Sequence, residues 1–390
     1  MAAAIKVRIE QFNAFANRLP GQSAAIPAAD FATNAGHNSH VDIQSKVYDE
    51  CINNNNAFII GGTPMRLIPA IGGLIAALMT SSVPAVAADV KFTFATTNGL
   101  QDLSTRAMQR WKEALEKQSD GKIQMELSTG GALGGDQQLL QQLATNEIQM
   151  NIAGPIIVHR LLKEYQCLEA EYVYKDEAHG FKVWTGEIGK EVSAELKKKY
   201  GIEVLGVAAR GARHITANKP IREPADLKGV KIRVTNKLRS DIFSAYGALP
   251  GPLPVSELYG ALRQGVFDAQ ENPIPTIYGD RFYEVQSHVS LTGHVWSYNI
   301  VTINSQFLAS MKPEQRAIFD STFKEAIDWL NAAVKSETTE LVAKMKKERN
   351  VDTVEANVPA FQAVATPIVE KFAAENCRPG LLADIQKAGE

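Results

Sequence analysis

Three cysteines, Cys51, Cys167 and Cys377, are too few and too scattered for a disulfide framework, and no Cys-x-x-Cys or close Cys/His set offers a zinc site. Two separate buried thiols are the favoured expectation for Cys167 and Cys377, with a pairing between them the alternative. An excess of charge is missing too. The 41 basic and 43 acidic residues leave a net charge of −2, which gives no electrostatic case for nucleic acid. The sequence holds no GxSxG elbow and no HExxH helix. Its seven histidines are scattered, and the best lone candidate, His294, reads as a hydrogen-bonded structural residue. The glycine-rich run Gly130 to Gly135 lacks both the Gly-Lys-Ser/Thr ending of a phosphate loop and the GxGxxG spacing. We therefore expect no catalytic residue, no metal site and no cofactor.

What is present is ample apolar material: 45% of 390 residues suffices for sizeable cores in two or more domains. Residues 1–64 are rich in Ala and Asn with weak periodicity, and are read as an upstream extension from a misplaced start. Met65-Arg66, the apolar run Ile71 to Met79 and the Ala85-Val86-Ala87 site together read as a signal peptide over 65–88. The apolar run is too short to span a bilayer comfortably. The mature chain is expected to begin near Ala88 or Asp89.

From Val90 strands and helices alternate. Val90–Ala95 reads as a strand, residues 103–118 as an amphipathic helix, and Lys122–Leu127 as the next strand, a βαβ pattern. Asp136 is expected to cap a helix over 137–145, and Gln149–Ala153 to lead as a strand into the turn at Gly154. A single helix is expected over 180–199 and a buried strand over 202–208, with Arg210 and Arg213 at its exit. Beyond Lys312 helical spacing runs unbroken to Asn350, roughly 50 Å at 1.5 Å per residue.

The most informative stretch is 229–273. Gly229 to Val234 reads as a strand carrying Arg233, whose planar fork suits a carboxylate. A helix including Tyr259, Leu262 and Val266 follows, then the polar cluster Gln270-Glu271-Asn272-Pro273, with Asn272-Pro273 biased toward an extended turn. Lys231-Ile-Arg233-Val, Pro254-Val-Ser-Glu257-Leu-Tyr259, Gln270 to Pro273, Phe282 to Gln286 and Leu291 to Trp296 come in one order and spacing. They resemble the solute-binding subunits of tripartite ATP-independent periplasmic (TRAP) transporters, from about Lys91 to about Val342.

The resemblance implies a two-lobed α/β periplasmic binding protein with crossing strands and one long helix spanning both lobes. On that pattern lobe I takes 89–211 with 299–338, and lobe II takes 212–298 with 339–390. It implies that Arg233 fixes a ligand carboxylate, that Asn272 bonds the same group and that Arg213 assists, or else serves a structural ion pair. Thr97 and Asn98 match more loosely. Gly154 stands where sialic acid binders of the family carry an acidic residue, which disfavours sialate. Trp296 belongs either to the pocket wall or to core packing. The implied function is periplasmic binding of a small organic acid and its delivery to an ion-gradient-driven TRAP permease, with no enzymatic turnover. A sugar acid or other hydroxy acid is favoured over a four-carbon dicarboxylate or an aromatic or branched oxo-acid. A monomer is expected. A receptor for a membrane signalling protein and a secreted enzyme are the competing classes.

Overall fold

Alternation in Val90–Ala95 puts Phe92 and Phe94 on one buried face, and the segment forms β1. The structure, a computed structural model, describes residues 88–390. The readings of 1–64 and, Ala88 aside, of 65–88 lie outside those residues. Helix α1 (Leu103–Gln118) begins where the Asp102 side chain accepts from Ser104 N, and it buries Leu103, Ala107, Met108, Trp111 and Leu115. Strands β2 (Ile123–Ser128) and β3 (Met150–Ala153) flank β1, both parallel to it. Between them lies α2 (Asp136–Ala144), whose cap is Gly135; Asp136 is its first helical residue instead of its cap.

After α3 (Ile156–Leu161) and a 3₁₀ segment (Lys163–Glu169), the helix expected over 180–199 is two, α4 (Glu177–Thr185) and α5 (Glu187–Tyr200). The break falls at Gly186, where a Cβ would meet Lys182 O at 2.4 Å. The strand expected to end at Ala208 continues through both arginines as β4 (Ile202–Ala217). It runs antiparallel to β8 (His288–Asn304) from Ile202↔Asn304 to Ala217↔His288.

This long ribbon carries a group of parallel strands at each end. The sheet order is β2-β1-β3-β8-β4-β7-β5-β6, with β9 (Asp352–Glu355) added to the start of β8. Strands β5 (Lys231–Val234), β6 (Leu249–Pro252) and β7 (Ala269–Pro273) form the second group. The polar cluster, whose Asn272-Pro273 end is expected as an extended turn, is thus β7. Helix α6 (Lys237–Ala245) links β5 to β6, and α7 (Val255–Arg263) links β6 to β7 and stops short of Val266.

After α8 (Ile274–Gly279), β8 and α9 (Ser305–Ser310), one helix, α10 (Pro313–Arg349), runs 37 residues to Asn350 in the left-handed conformation. Phe319, Phe323, Leu330 and Val334 complete the core around β1 and α1, while Leu341 and Met345 join that of α7 and α8. Spanning about 55 Å, α10 braces both lobes. The C-terminal helices α11 (Val358–Asn376) and α12 (Leu381–Ala388) return to the middle of the molecule. There the expected separate thiols are in fact joined: Cys167 and Cys377 form a disulfide across 210 residues. The sequence carried no signal for this, because the pairing depends on where α11 ends, not on any local spacing.

Candidate functional site

Strands β1, β3 and β5 all end at one cleft, the position where parallel α/β sheets place ligand sites. It holds a cavity of about 540 Å³ lined from both lobes. Thr97 and Asn98 follow β1, Gly154 follows β3, Arg233 lies on β5, Asn272 on β7 and Arg213 on β4, and all six line it. Trp296 does not. Opposite Ala212 on β8, it packs against the central apolar core.

Arg233 is nearly buried, and burial lowers its pKa to about 10 against the opposing charge of Glu271, so the guanidinium stays charged at neutral pH. Its Nε donates to Leu253 O at 2.8 Å, and it makes no ion pair among the described residues. That leaves the outer fork of the guanidinium for whatever fills the cavity. Asn272 donates to Gln270 Oε1 at 2.6 Å, which fixes the plane of its amide.

Arg213 is built differently. Its Nε and Nη2 hold both oxygens of Glu271 at 2.5 and 3.0 Å, and Nη2 also donates to Glu271 O at 2.6 Å. So Arg213 lies on the cavity and in a structural ion pair at once. Glu271 is fully buried, which would raise its pKa, yet the charges of Arg213 and Arg239 and the His294 hydrogen bond hold it well below the usual range. Burial pushes His294 down and keeps it neutral, with Nε2 donating to Glu271 at 3.1 Å and Nδ1 accepting from Thr292. Arg239, wholly buried, donates to Glu171, Thr235 and Glu169 O. Glu169 lines the cavity; burial raises its pKa, but the His159 hydrogen bond at 2.8 Å and Arg239 outweigh this and set it at about 2.

Thr97 Oγ1 donates to Asp136 Oδ1 at 2.9 Å, and Asn98 Nδ2 to Ser104 Oγ at 2.8 Å. Arg210, to which sequence reasoning gave no role, also lines the cavity. Three residues apart on a regular strand, Arg210 and Arg213 would face opposite sides. A bulge sets Arg210 and Gly211 against Ser297 alone, with Gly211 at φ 96°, and so brings both to the cleft.

A fixed fork of unpaired donors, a positioned amide and a shell of buried ion pairs form an arrangement whose chemistry suits an anion. The family model described as bacterial extracellular solute-binding protein, family 7, matches residues 94–376. The 2,3-diketo-L-gulonate-binding periplasmic protein of Escherichia coli is 30% identical over 279 residues, 71% of this chain and 83% of its own. A TRAP periplasmic solute binding protein from Roseobacter denitrificans, solved with L-galactonate, is 27% identical with a TM-score of 0.71, covering 78% of this chain and 99% of its own. One from Pseudomonas putida, solved with D-glucuronate, is 26% identical with a TM-score of 0.69, covering 76% and 96%. The chain belongs to the family 7 extracellular solute-binding proteins, the receptors of TRAP transporters.

Proposed function

We propose that this protein is an exported receptor that binds a small organic acid between its lobes and passes it to a TRAP membrane permease driven by an ion gradient. The observation that carries the reading is Arg233: a nearly buried guanidinium on the cavity wall whose outer fork has no protein carboxylate. In our reading one ligand carboxylate takes that fork, Asn272 bonds the same group, and Arg213, held rigid by Glu271, offers Nη1. Thr97, Asn98 and the backbone at Gly154 meet the ligand from the other lobe, so that binding draws the lobes together. The wall between is rich in amide and hydroxyl groups, Gln137, Gln138, Gln141, Thr235 and Ser256 among them, which favours a hydroxylated acid over a purely apolar one. Relatives named for, or solved with, sugar acids support that choice. Such a site binds without turnover, and the disulfide suits an oxidising compartment outside the cytoplasm.

The test is thermal unfolding of the purified protein against a panel of organic acids, with Arg233→Ala alongside. A ligand at about a hundred times its Kd adds roughly 2.7 kcal/mol to native stability, a rise of about 4 °C for a folded chain of this size. We expect hydroxy acids to give such a rise in the wild type and none in a folded Arg233→Ala. A rise that survives the substitution would remove Arg233 from the site.

A further inference from the structure

Four arginines line the cavity, and their circumstances differ. Arg160 is exposed and therefore solvated, Arg213 is committed to Glu271, and Arg233 keeps its outer fork. Arg210 is only 8% exposed. Its Nη2 has two long contacts, 3.5 Å to Asn98 Oδ1 and 3.4 Å to Thr276 Oγ1. Its Nε is buried with no partner, and Nη1 has none among the described residues. Gly154 leaves the room for that Nη1, since a Cβ there would sit 2.6 Å from it.

The charge of Arg210 bears on the Asp280 carboxylate at a distance, but neither Asp280 nor its neighbour Asp102 forms an ion pair with Arg210 among the described residues. Asp102 accepts from Ser104 N and Thr276 Oγ1. Asp280 accepts from Gly99 N, and burial beside Asp102 raises it to about 7, so that near neutral pH it carries only part of a charge. A buried cation without a paired anion is costly, and the cost is relieved when a ligand supplies the charge. Arg233 approaches from β5 in one lobe, whereas Arg210 sits on the crossing strand beside Asn98 and Gly154 of the other.

We propose that the ligand is a hydroxylated dicarboxylate, with one carboxylate on the fork of Arg233 and the second on Arg210 beside Gly154. This rests on the organic-acid receptor reading above and narrows it. A monoacid leaves Arg210 unpaired within the closed site, and an acid charged at both ends satisfies both guanidiniums. A cavity of about 540 Å³ holds a six-carbon diacid with room to spare.

Calorimetric titration of the full chain with matched acids tests this: galactonate against galactarate, gluconate against glucarate, and hexanoate against adipate. In the wild type we expect at least one diacid to bind about tenfold or more tightly than its monoacid, the scale of one charge-assisted contact. Arg210→Met should bring that ratio toward one without lowering the melting temperature of the ligand-free protein, because it removes an unpaired cation. Arg210→Lys should keep part of the preference, and Gly154→Ala, by displacing Nη1, should reduce it. Monoacids bound as well as diacids overturn the two-ended reading and leave Arg233 in place. A preference unchanged in Arg210→Met, or a lower ligand-free melting temperature with that same ratio, marks Arg210 as structural and also overturns it. Failure of every acid to bind overturns this reading and the receptor reading together.

Discussion

Glu271 is a carboxylate at zero exposure that pairs with Arg213, lies 3.5 Å from Arg239 and accepts from His294. Deleting one member of such a set leaves the others buried and charged, a loss of about 3–5 kcal/mol. Glu271→Ala should therefore lower the denaturation midpoint far more than an exposed substitution such as Glu187→Ala, whose pairing with Lys190 is solvated. Equal small losses would mean that water enters the Glu271 site. Reading this residue from sequence was not feasible, since its partners Arg213 and His294 lie 58 and 23 residues away. Arg233 and Asn272 were legible as cavity-lining residues because each lies on a short strand inside a recognisable run of motifs. Arg210 was hidden by a bulge that reverses the parity of the strand, and bulges leave no reliable trace in an apolar–polar pattern. Trp296 carried no local signal to decide between pocket and core, and the structure packs it on the core.

Among the elements, the helices and short parallel strands were visible as periodic runs, and the extent of β4 and β8 was not. Both strands leave one core and enter another, so their burial changes partway and regular alternation fails. At the bulge where β4 passes between lobes, Asn331 of α10 accepts from Ala209 N at 2.7 Å and Asn299 donates to Ala209 O at 2.9 Å. These amides satisfy backbone groups that the ladder leaves unpaired. Asn331→Ala should cost about 1–3 kcal/mol by orphaning the Ala209 N–H. Amide hydrogen exchange at Ala209 should rise with it, and unchanged protection there would show that another acceptor takes over. The Cys167–Cys377 bond ties the end of α11 to the 3₁₀ segment that leads into Glu169. Closing so long a loop contributes about 2–5 kcal/mol. Reductant should lower the denaturation midpoint of the wild type and leave a Cys167→Ala/Cys377→Ala variant, already lowered, where it is.

For the molecule as a whole, the two lobes also meet away from the ribbon, where α8 presses on the loop between β1 and α1. Gly279 is required there, since a Cβ would lie 2.6 Å from Asp102 Cα. The same contact buries Asp280, whose Oδ1 accepts from Gly99 N at 2.9 Å while Oδ2 has no partner. Burial and the neighbouring Asp102 raise its pKa from 3.8 to about 7, against the pull of Gly99 N and Arg210. The folded state therefore holds this proton more tightly than the unfolded chain. Its contribution is full below about pH 4 and is lost as pH rises through about 7, by up to about 4 kcal/mol. Glu271 and Glu169 act in the opposite sense, losing their stabilisation as pH falls below 4.5, so the Asp280 effect must be isolated by difference. Asp280→Asn keeps the acceptor for Gly99 and cannot ionise. Urea denaturation of both proteins from pH 4 to 8 should show the variant gaining on the wild type as pH rises, most steeply between about pH 4.5 and 6.5, and levelling off above 7. Parallel curves would mean that Asp280 ionises in the folded protein as it does in the unfolded chain, and that the lobes meet there across water.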